Sequence, residues 1–448
     1  MARGKKKEEL TLEEKLEQAL VPVEEQPYKV PENWCWAQLD HVSEIAMGQS
    51  PSGTDVTDDA NYTPLIGGAS DMGELYPVAS RYTKVSTKLS QKDDIIICIR
   101  ATLGKPIYSD GEYCLGRGVA GIRAICCKKE YLRYFFKAFE QYLYDNATGT
   151  TFAQITGKVL AKMPVPLPPL KEQQRIVERI ESLFAKLNEV EEKVQYVWDC
   201  CDDDFAIAVH KALSGNLTEE WRKQNSISRS GWKMDKLGNL GCLERGRSKH
   251  RPRNDPKLFG GPYPFIQTGD VAEADIYVDK HKQTLSEFGL AQSRMFPKGT
   301  LCITIAANIG DVAILSYDCC FPDSVVGFTP YKDVESKYIY YMMSELQKEI
   351  EANAPATAQK NINLKILNDI DITIPSVIEQ KEIIAILDDL YDKKKQVKEK
   401  TKKIIDAIDL MKKSIFAKAF RGELGTNNLE EESSVSLLKQ ILEQGDIK

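Results

Sequence analysis

An internal repeat constrains the fold of this 448-residue chain more than any other feature. The segment LPPLKEQQRIV, which begins at Leu167, returns as IPSVIEQKEII at Ile374, 207 residues later. The same offset aligns Gly215 with Gly422, but it drifts further upstream and falls to 198 at Trp34. A constant offset in one part and a drifting offset in the other indicate a duplicated unit, of which one half has kept its length while the other has diverged by insertion.

The constant half of each copy has the apolar spacing of a long helix. Its apolar residues recur in steps of three and four, the pattern of a coiled-coil seam. The seam residues are Ile176, Ile180, Leu183, Leu187, Val190, Val194 and Val197 in the first copy, and Ile383, Leu387, Leu390, Val397 and Ile404 in the second. Lys394 and Thr401 interrupt the second seam. A helix of about 60 Å does not expose such a stripe to water, so we expect the two copies to pack together antiparallel. Pairing between molecules is the alternative.

The diverged half of each copy has the pattern of a mixed α/β domain. β-like runs at 94–99 and 300–305 lie between turns rich in Gly and Asp, and aromatic helical segments follow them. Proline-containing breaks at 163–170 and 373–376 then end each globule. The predicted fold class is therefore α+β, with two mixed α/β domains separated by two long helices packed as an antiparallel coiled coil, and with an internal pseudo-two-fold repeat.

These patterns divide the chain into six predicted segments. They are an N-terminal helical extension (1–30) with a capping box at Thr11 and Glu14, a first domain (31–168), a first long helix with its linker (169–228), a second domain (229–374), a second long helix (375–425), and a weakly anchored C-terminal tail (426–448).

Composition and cysteine spacing exclude several classes of protein. No apolar run reaches the roughly 18 residues that a membrane span needs. The basic start Met1–Lys7 is not followed by an apolar signal core, so we expect a cytoplasmic protein. Six of the eleven cysteines form three adjacent pairs, and the sequence contains no C-x-x-C. We therefore expect reduced thiols and no metal site.

Catalytic motifs are missing from the sequence. It contains no phosphate-binding G-x-x-x-x-G-K-[ST] loop, no G-x-G-x-x-G after a strand, no H-E-x-x-H and no G-x-S-x-G. The Asn/Asp-Pro-Pro-Tyr/Phe element of amino-methyltransferases is missing too. The sequence therefore predicts no catalytic residues, and no cofactor held by this chain.

Candidate nucleic-acid contacts lie in loops of both domains. A loop dense in cations suits phosphate contact, and arginine can also read guanine edges. The basic loop of the second domain carries Arg245, Arg247, Lys249, Arg251 and Arg253, and the matched loop of the first carries Gln49, Ser50 and Ser52. A second matched pair of loops carries Thr150, Thr151 and Gln154, and Gln359, Lys360 and Asn361. Arg100, Lys105 and Arg117 flank the first sheet. Plain solvated or capped loops are the alternative interpretation.

The arrangement resembles the specificity (S) subunits of type I restriction-modification enzymes over about residues 8–425. The resemblance rests on the segment from Leu167 to Val177, its repeat from Ile374 to Ile384, and the helix ends at Gly215 and Gly422. It implies that each globule is a target-recognition domain for one half of a split DNA site, with the paired helices fixing the gap.

The resemblance also implies partners and cofactors. Two methyltransferase subunits would dock on this frame and methylate adenine with S-adenosylmethionine, and an ATP-driven restriction/translocase subunit would complete the complex. This chain would hold neither cofactor. Because the two globules differ in sequence, we expect two different half-sites, about one duplex turn apart, roughly 10 bp. A coiled-coil scaffold whose globules bind proteins is the alternative, and a nuclease or methylase acting alone is disfavoured by the missing motifs.

Overall fold

The structure is a computed structural model that describes residues 10–149, 152–306, 309–352 and 362–444, the side chains of 348–352 excepted. The chain forms two compact units. The first comprises Met1–Lys193 and Ile404–Lys448, and the second comprises Val194–Lys403. Each unit contains one globular domain together with one half of each long helix.

The helices within the described residues are α1 (Leu12–Ala19), α2 (Lys129–Ala138), α3 (Glu140–Asp145), α4 (Gly157–Ala161), α5 (Leu170–Leu213), α6 (Glu219–Gln224), α7 (Leu237–Leu240), α8 (Thr268–Ala272), α9 (Glu287–Gln292), α10 (Ser336–Ala352), α11 (Leu364–Asn368), α12 (Val377–Phe420) and α13 (Ser434–Gln444).

The strands are β1 (Cys35–Gln38), β2 (Ser43–Met47), β3 (Val56–Thr57), β4 (Thr63–Ile66), β5 (Arg81–Thr83), β6 (Ile95–Arg100), β7 (Thr102–Tyr108), β8 (Cys114–Leu115), β9 (Val119–Ala124), β10 (Pro164–Leu167), β11 (Lys233–Lys236), β12 (Gly241–Arg245), β13 (Phe259–Phe265), β14 (Tyr277–Val278), β15 (Gln283–Leu285), β16 (Met295–Phe296), β17 (Leu301–Thr304), β18 (Val312–Leu315), β19 (Cys319–Cys320), β20 (Val325–Pro330) and β21 (Asp371–Ile374).

The two domains share one sheet topology, which confirms the duplication. The first contains an antiparallel sheet in the order β2-β9-β6-β7, and the second repeats it as β12-β20-β17-β18, with β14 added in parallel to β18. A second sheet contains β5-β4-β8 in the first domain and β15-β13-β19 in the second, each with one parallel pair. A two-stranded ribbon, β1-β10 or β11-β21, closes each domain where its long helix begins. The predicted α+β class is therefore confirmed.

The hydrophobic core of each domain continues onto the long helices. Ile176 and Ile180 of α5 are buried with Phe420 of α12 in the first core, and Ile383 and Leu387 of α12 are buried in the second. The N-terminal turns of each helix thus belong to the core of the domain that precedes it. This burial explains why the helical half of the repeat has kept its length.

The long helices, 44 residues each, pack antiparallel as predicted. Within the first unit, the ring centroids of Phe184 and Phe416 are 5.0 Å apart. Within the second unit, the centroids of Phe205 and Tyr391 are 5.6 Å apart. The N-terminal half of α5 therefore meets the C-terminal half of α12, and the reverse holds in the other unit. The seam is filled within the chain, which removes the need for pairing between molecules.

Three residues assigned to the seam from sequence do not belong to it. Val190, Val197 and Ile404 are 45%, 43% and 41% exposed. A straight helix has 3.6 residues per turn, so a strict step of 3.5 drifts off the contact face. The seam passes through Glu191, which was not predicted, and through Val194, which was; both residues are half-buried. Leu183, Leu187, Leu390 and Val397 are half-buried and keep their predicted positions.

The two interruptions of the second seam face its interior. Thr401 is buried, and its hydroxyl donates to the carbonyl of Val397 at 3.1 Å. The ammonium of half-buried Lys394 lies 2.8 Å from the carboxylate of Asp202. A similar pair, Lys412 and Glu191 at 2.6 Å, lies in the first unit. The middle of the seam is therefore polar and ion-paired, and its ends are apolar and aromatic.

The C-terminal segment is firmly anchored, so the prediction of a weakly held tail is wrong. Helix α13 packs against α1 and buries Leu438 and Leu442 in the first core. The backbone N–H of Ser434 donates to the carbonyl of Asn33 at 3.0 Å. The predicted capping box of Thr11 and Glu14 does begin α1. None of the described helices is both long and apolar enough to span a membrane.

Candidate nucleic-acid interface

The repeated Glu-Gln pair fixes each domain to its long helix. The Gln173 side chain donates to the carbonyl of Pro168 at 2.9 Å and accepts from the backbone N–H of Lys128 at 2.7 Å. Gln380 makes the same two bonds, to the carbonyl of Pro375 and from the N–H of Glu335, both at 2.9 Å. One amide thus joins the proline break, the start of the aromatic helix and the long helix.

The neighbouring glutamates are buried in both units but have different partners. Glu172 accepts from the indole N–H of Trp34 at 2.7 Å and from the hydroxyl of Thr426 at 3.3 Å. Burial raises the pKa of Glu172, against the effect of these hydrogen bonds. Glu379 accepts from the indole of Trp232 at 2.9 Å and also forms a buried ion pair with Arg222. Among the described residues, the hydrogen-bond donors to the first carboxylate are therefore neutral, and those to the second include a cation.

The loops that follow β2 and β12, together with the turns before β9 and β20, form one loop face that is built on the same hydrogen bonds in both domains. In the first, Val119 N–H donates to the carbonyl of Gly116 at 3.1 Å, and Gly48 N–H donates to the carbonyl of Val119 at 3.0 Å. In the second, the equivalent donors Val325 and Gly246 bond to the carbonyls of Pro322 at 3.1 Å and Val325 at 2.9 Å. One turn and the loop that crosses it therefore occur twice.

Different side chains occupy equivalent positions on this face. Gln49 N–H donates to the carbonyl of Leu115 at 2.8 Å, and Arg247 N–H donates to the carbonyl of Phe321 at 3.1 Å, so Gln49 and Arg247 correspond. The turn itself places exposed Arg117 in the first domain where the second has Asp323. Asp323 escaped the sequence reasoning because the offset between the copies drifts in this region.

In the first domain, the structure brings several predicted residues to one cavity. Arg100 and Arg117 line it with the exposed ring of Phe152 and with Gly67 and Gly68. Gln154 forms a backbone bridge to Arg100. The Ser50 hydroxyl accepts from the N–H of Arg117 at 3.3 Å. Two guanidinium groups beside an aromatic ring suit contact with phosphates and base edges.

Two predicted residues of the first domain lie elsewhere. Lys105 lines a separate cavity with Glu74, Lys137 and Glu140, which has no lining residue in common with the cavity of Arg100. Lys105 belongs to β7 of the first sheet and therefore lies apart from the cavity of Arg100 and Arg117. The Ser52 hydroxyl bonds to that of Thr54 at 2.9 Å, and both residues are exposed.

The five cations of the basic loop have three different environments. Arg245 and Arg253 both bond to Asp323, through its backbone carbonyl and its carboxylate respectively. Arg251 donates to two carbonyls of its own loop, those of Ser248 and His250. Arg247 and Lys249 are exposed, and their side chains have no hydrogen-bond partner among the described residues. Among the five cations, Arg247 and Lys249 are the ones whose side-chain donors are all without a partner among the described residues.

The basic loop borders a pocket with an apolar floor and a polar rim. Its floor includes Leu258, Phe265 and Leu285, and its rim includes Arg247, Arg253, Gln267, Gln292 and Ser293. The side chain of Gln267 donates to that of Gln283 at 2.8 Å. Sequence reasoning missed Gln267 and Gln292, because neither stands in a motif and only the fold brings them beside the basic loop.

Five candidate residues lie outside the described residues: Thr150, Thr151, Gln359, Lys360 and Asn361. No group of His, Cys, Asp or Glu side chains in the described part of the chain could hold a metal ion. All eleven cysteines are free thiols, and burial raises the pKa of Cys127 to about 12.

Two equivalent domains on paired helices, each with a differently charged version of one loop face, define the architecture of a recognition subunit. The sequence model of the type I restriction modification DNA specificity domain matches residues 31–195 and 229–406. The chain belongs to this family. The expectation of a non-catalytic specificity subunit of a type I restriction-modification system is thereby confirmed.

Curated relatives match at low identity over much of their length. The EcoKI specificity subunit of Escherichia coli K12 is 23% identical over 432 residues, 88% of this chain and 90% of that protein. The EcoBI specificity subunit of E. coli is also 23% identical and matches over 74% of each chain. The match to the MjaX specificity subunit of Methanocaldococcus jannaschii is 30% identical over 159 residues, but covers 35% of this chain and only 37% of that protein.

Solved structures share the fold. A chain from a study of assembly and conformational transition of the type I system aligns with a TM-score of 0.71 and 20% identity, over 89% of this chain and all of that one. The HsdS subunit of Thermoanaerobacter tengcongensis aligns with a TM-score of 0.55 and 20% identity, over 89% of this chain and 99% of that one.

Proposed function

We propose that this specificity subunit reads a bipartite, asymmetric DNA site, one half with each domain, and docks the adenine methyltransferase subunits that modify it. The observation that carries the proposal is the loop face built twice on the same backbone hydrogen bonds. It presents Gln49 and Arg117 in the first domain, and Arg247 and Asp323 in the second.

The chemistry of these pairs supports different half-sites. Arginine is a donor that pairs with the O6 and N7 acceptors of guanine, and Gln pairs with adenine N6 and N7. A carboxylate is an acceptor only and is repelled by phosphate. Because Arg117 and Asp323 occupy one structural position, the two loop faces differ in charge and in hydrogen-bonding capacity. A symmetric site would not fit both faces equally well.

The paired helices have a mechanical role in this proposal. Each helix begins inside the core of the domain before it, so the domain cannot rotate on its helix without breaking buried contacts such as that of Ile176 or Ile383. We propose that the helix pair sets the gap between the half-sites, about one duplex turn between their centres. If the helix pair is a rigid spacer, the number of base pairs between the two half-sites depends on the length of the helices.

The proposed partners supply the chemistry. Two methyltransferase subunits would hold S-adenosylmethionine and methylate adenine, and restriction/translocase subunits would use ATP. This chain contributes the DNA contacts and the frame on which the other subunits assemble.

Co-expression with the methyltransferase subunit of the same system, followed by genome-wide mapping of methylated adenine, tests the proposal. We expect one bipartite motif with two different halves and a fixed gap. Methylation at one contiguous site, or without a motif, would contradict it. The affinity of the assembled complex for duplex DNA should fall steeply with salt because phosphate contacts release counterions. A flat salt response would favour the protein-binding scaffold instead.

A further inference from the structure

The loop face of the second domain contains an acidic residue that a phosphate-binding surface should not favour. The half-buried turn before β20 carries Asp323, where the equivalent turn before β9 carries Arg117. Five of the nine residues from Arg245 to Arg253 are cationic, and Asp323 lies against this loop. A carboxylate that faces DNA is repelled by the phosphates, so its place among these cations requires another reason.

The contacts of Asp323 supply that reason. Both carboxylate oxygens lie 3.0 Å from one nitrogen, Nη2, of Arg253. The backbone carbonyl of the same residue accepts from Nε of Arg245 at 2.6 Å. A single turn residue thus holds the two arginines that begin and end the basic loop.

The arginine that the carboxylate holds keeps its recognition edge. Arg253 is bound through Nη2 only, and its Nε and Nη1 have no partner among the described residues. Its side chain is about half exposed and lines the pocket that also contains Gln267 and Gln292. Nη2 carries two N–H groups, so a guanidinium held through one of them still offers the other, together with a neighbouring nitrogen, as two parallel donors. It also loses less rotamer freedom on binding than a free one.

We propose that Asp323 is a positioning residue that directs Arg253 to a guanine in the half-site read by the second domain. The inference rests on the proposed function, because it presumes that this face meets DNA. Arginine pairs with guanine O6 and N7 through two parallel N–H donors. The first domain has no such carboxylate at the equivalent turn, where Arg117 itself takes the contact position.

The test compares Asp323→Asn, Arg253→Ala and Arg253→Lys in the purified complex with its methyltransferase. Methylation rates are measured on duplexes that carry each of the four bases at each position of the motif. We expect all three variants to lose discrimination at one and the same position of the second half-site, by roughly 5- to 150-fold, the range for one bidentate base contact. Asp323→Asn keeps the shape of the turn, and thermal unfolding checks that each variant is folded.

The matched control is Arg117→Ala, which should alter the first half-site only. If Asp323→Asn and Arg253→Ala alter different positions, the carboxylate reads a base itself and the inference is overturned. If Arg253→Ala weakens binding to all sequences equally and lowers the salt slope by about one, Arg253 contacts a phosphate, which also overturns it. A wild-type complex without a bipartite motif would refute the proposed function, whereas a bipartite motif that these variants leave unchanged would refute this inference alone.

Discussion

Replacing Glu379 by Gln should destabilise the second unit by about 3–5 kcal/mol, whereas Glu172→Gln should cost the first unit about 1 kcal/mol or less. The two residues are equivalent in the repeat, and both are buried. Glu379 neutralises the guanidinium of Arg222, which is 6% exposed, so its loss leaves a buried charge without a counter-ion. Within the described part of the chain, the Glu172 side chain bonds only to Trp34 and Thr426. A Gln side chain there can accept from the indole and donate to the hydroxyl.

Hydrogen exchange measures this difference in each unit separately, which matters because a chain of two units need not unfold in one step. Peptides that contain Trp34 report on the first unit, and peptides that contain Trp232 report on the second. Arg222→Met in the Glu379→Gln background should recover most of the loss, since it removes the unpaired charge. Equal losses in the two units, or no recovery in the double variant, would refute the reasoning.

Three further predictions concern the frame. Burial raises the pKa of Glu172 above its ordinary 4.5. The contribution of Glu172 to stability is therefore present below pH 4.5 and is lost as the pH rises through the raised pKa. In the variant Glu172→Gln, this pH dependence should disappear from hydrogen exchange at Trp34. Phe184→Ala should lower the free energy of unfolding by about 2–3 kcal/mol, because the ring of Phe184 packs in the seam. Val190→Ala, on the exposed side of the helix, should lower it by less than about 0.5 kcal/mol. Urea unfolding measures both values, and similar losses would contradict the assigned seam. Leu438→Ala should destabilise the first unit by about 2–5 kcal/mol; unchanged exchange around Trp34 would contradict the anchoring of α13.

The sequence predicted the frame because its repeat keeps a constant length. The 207-residue offset places Gln173 over Gln380 and Glu172 over Glu379, and these residues make equivalent bonds to the proline break and to tryptophan. Any insertion between them would break a buried contact. The pairing of the helices could therefore be predicted from residue spacing alone. The same spacing wrongly assigned Val190 to the seam, because the contact face of a straight helix drifts from a strict pattern of three and four.

The reading face could be predicted only in part. Arg117 and Arg247 were found because arginine in a loop is a local signal, and Arg100 was found because it ends a strand of the first sheet. The correspondence of Arg117 with Asp323 becomes visible only when β9 and β20 are paired with their neighbours, because the offset drifts between these loops. Gln267 was missed because it stands in no motif and only the fold brings it beside the basic loop. The anchoring of α13 was missed because its partner α1 lies at the other end of the chain.

The central claim is that each domain reads its own half of the site. Mapping methylated adenine across the genome with the variants Arg100→Ala/Arg117→Ala and Arg247→Ala/Arg253→Ala tests it most directly. Each double variant should relax one half of the motif and leave the other half and the gap unchanged. Relaxation of both halves by either double variant, or a motif that neither changes, would contradict the account.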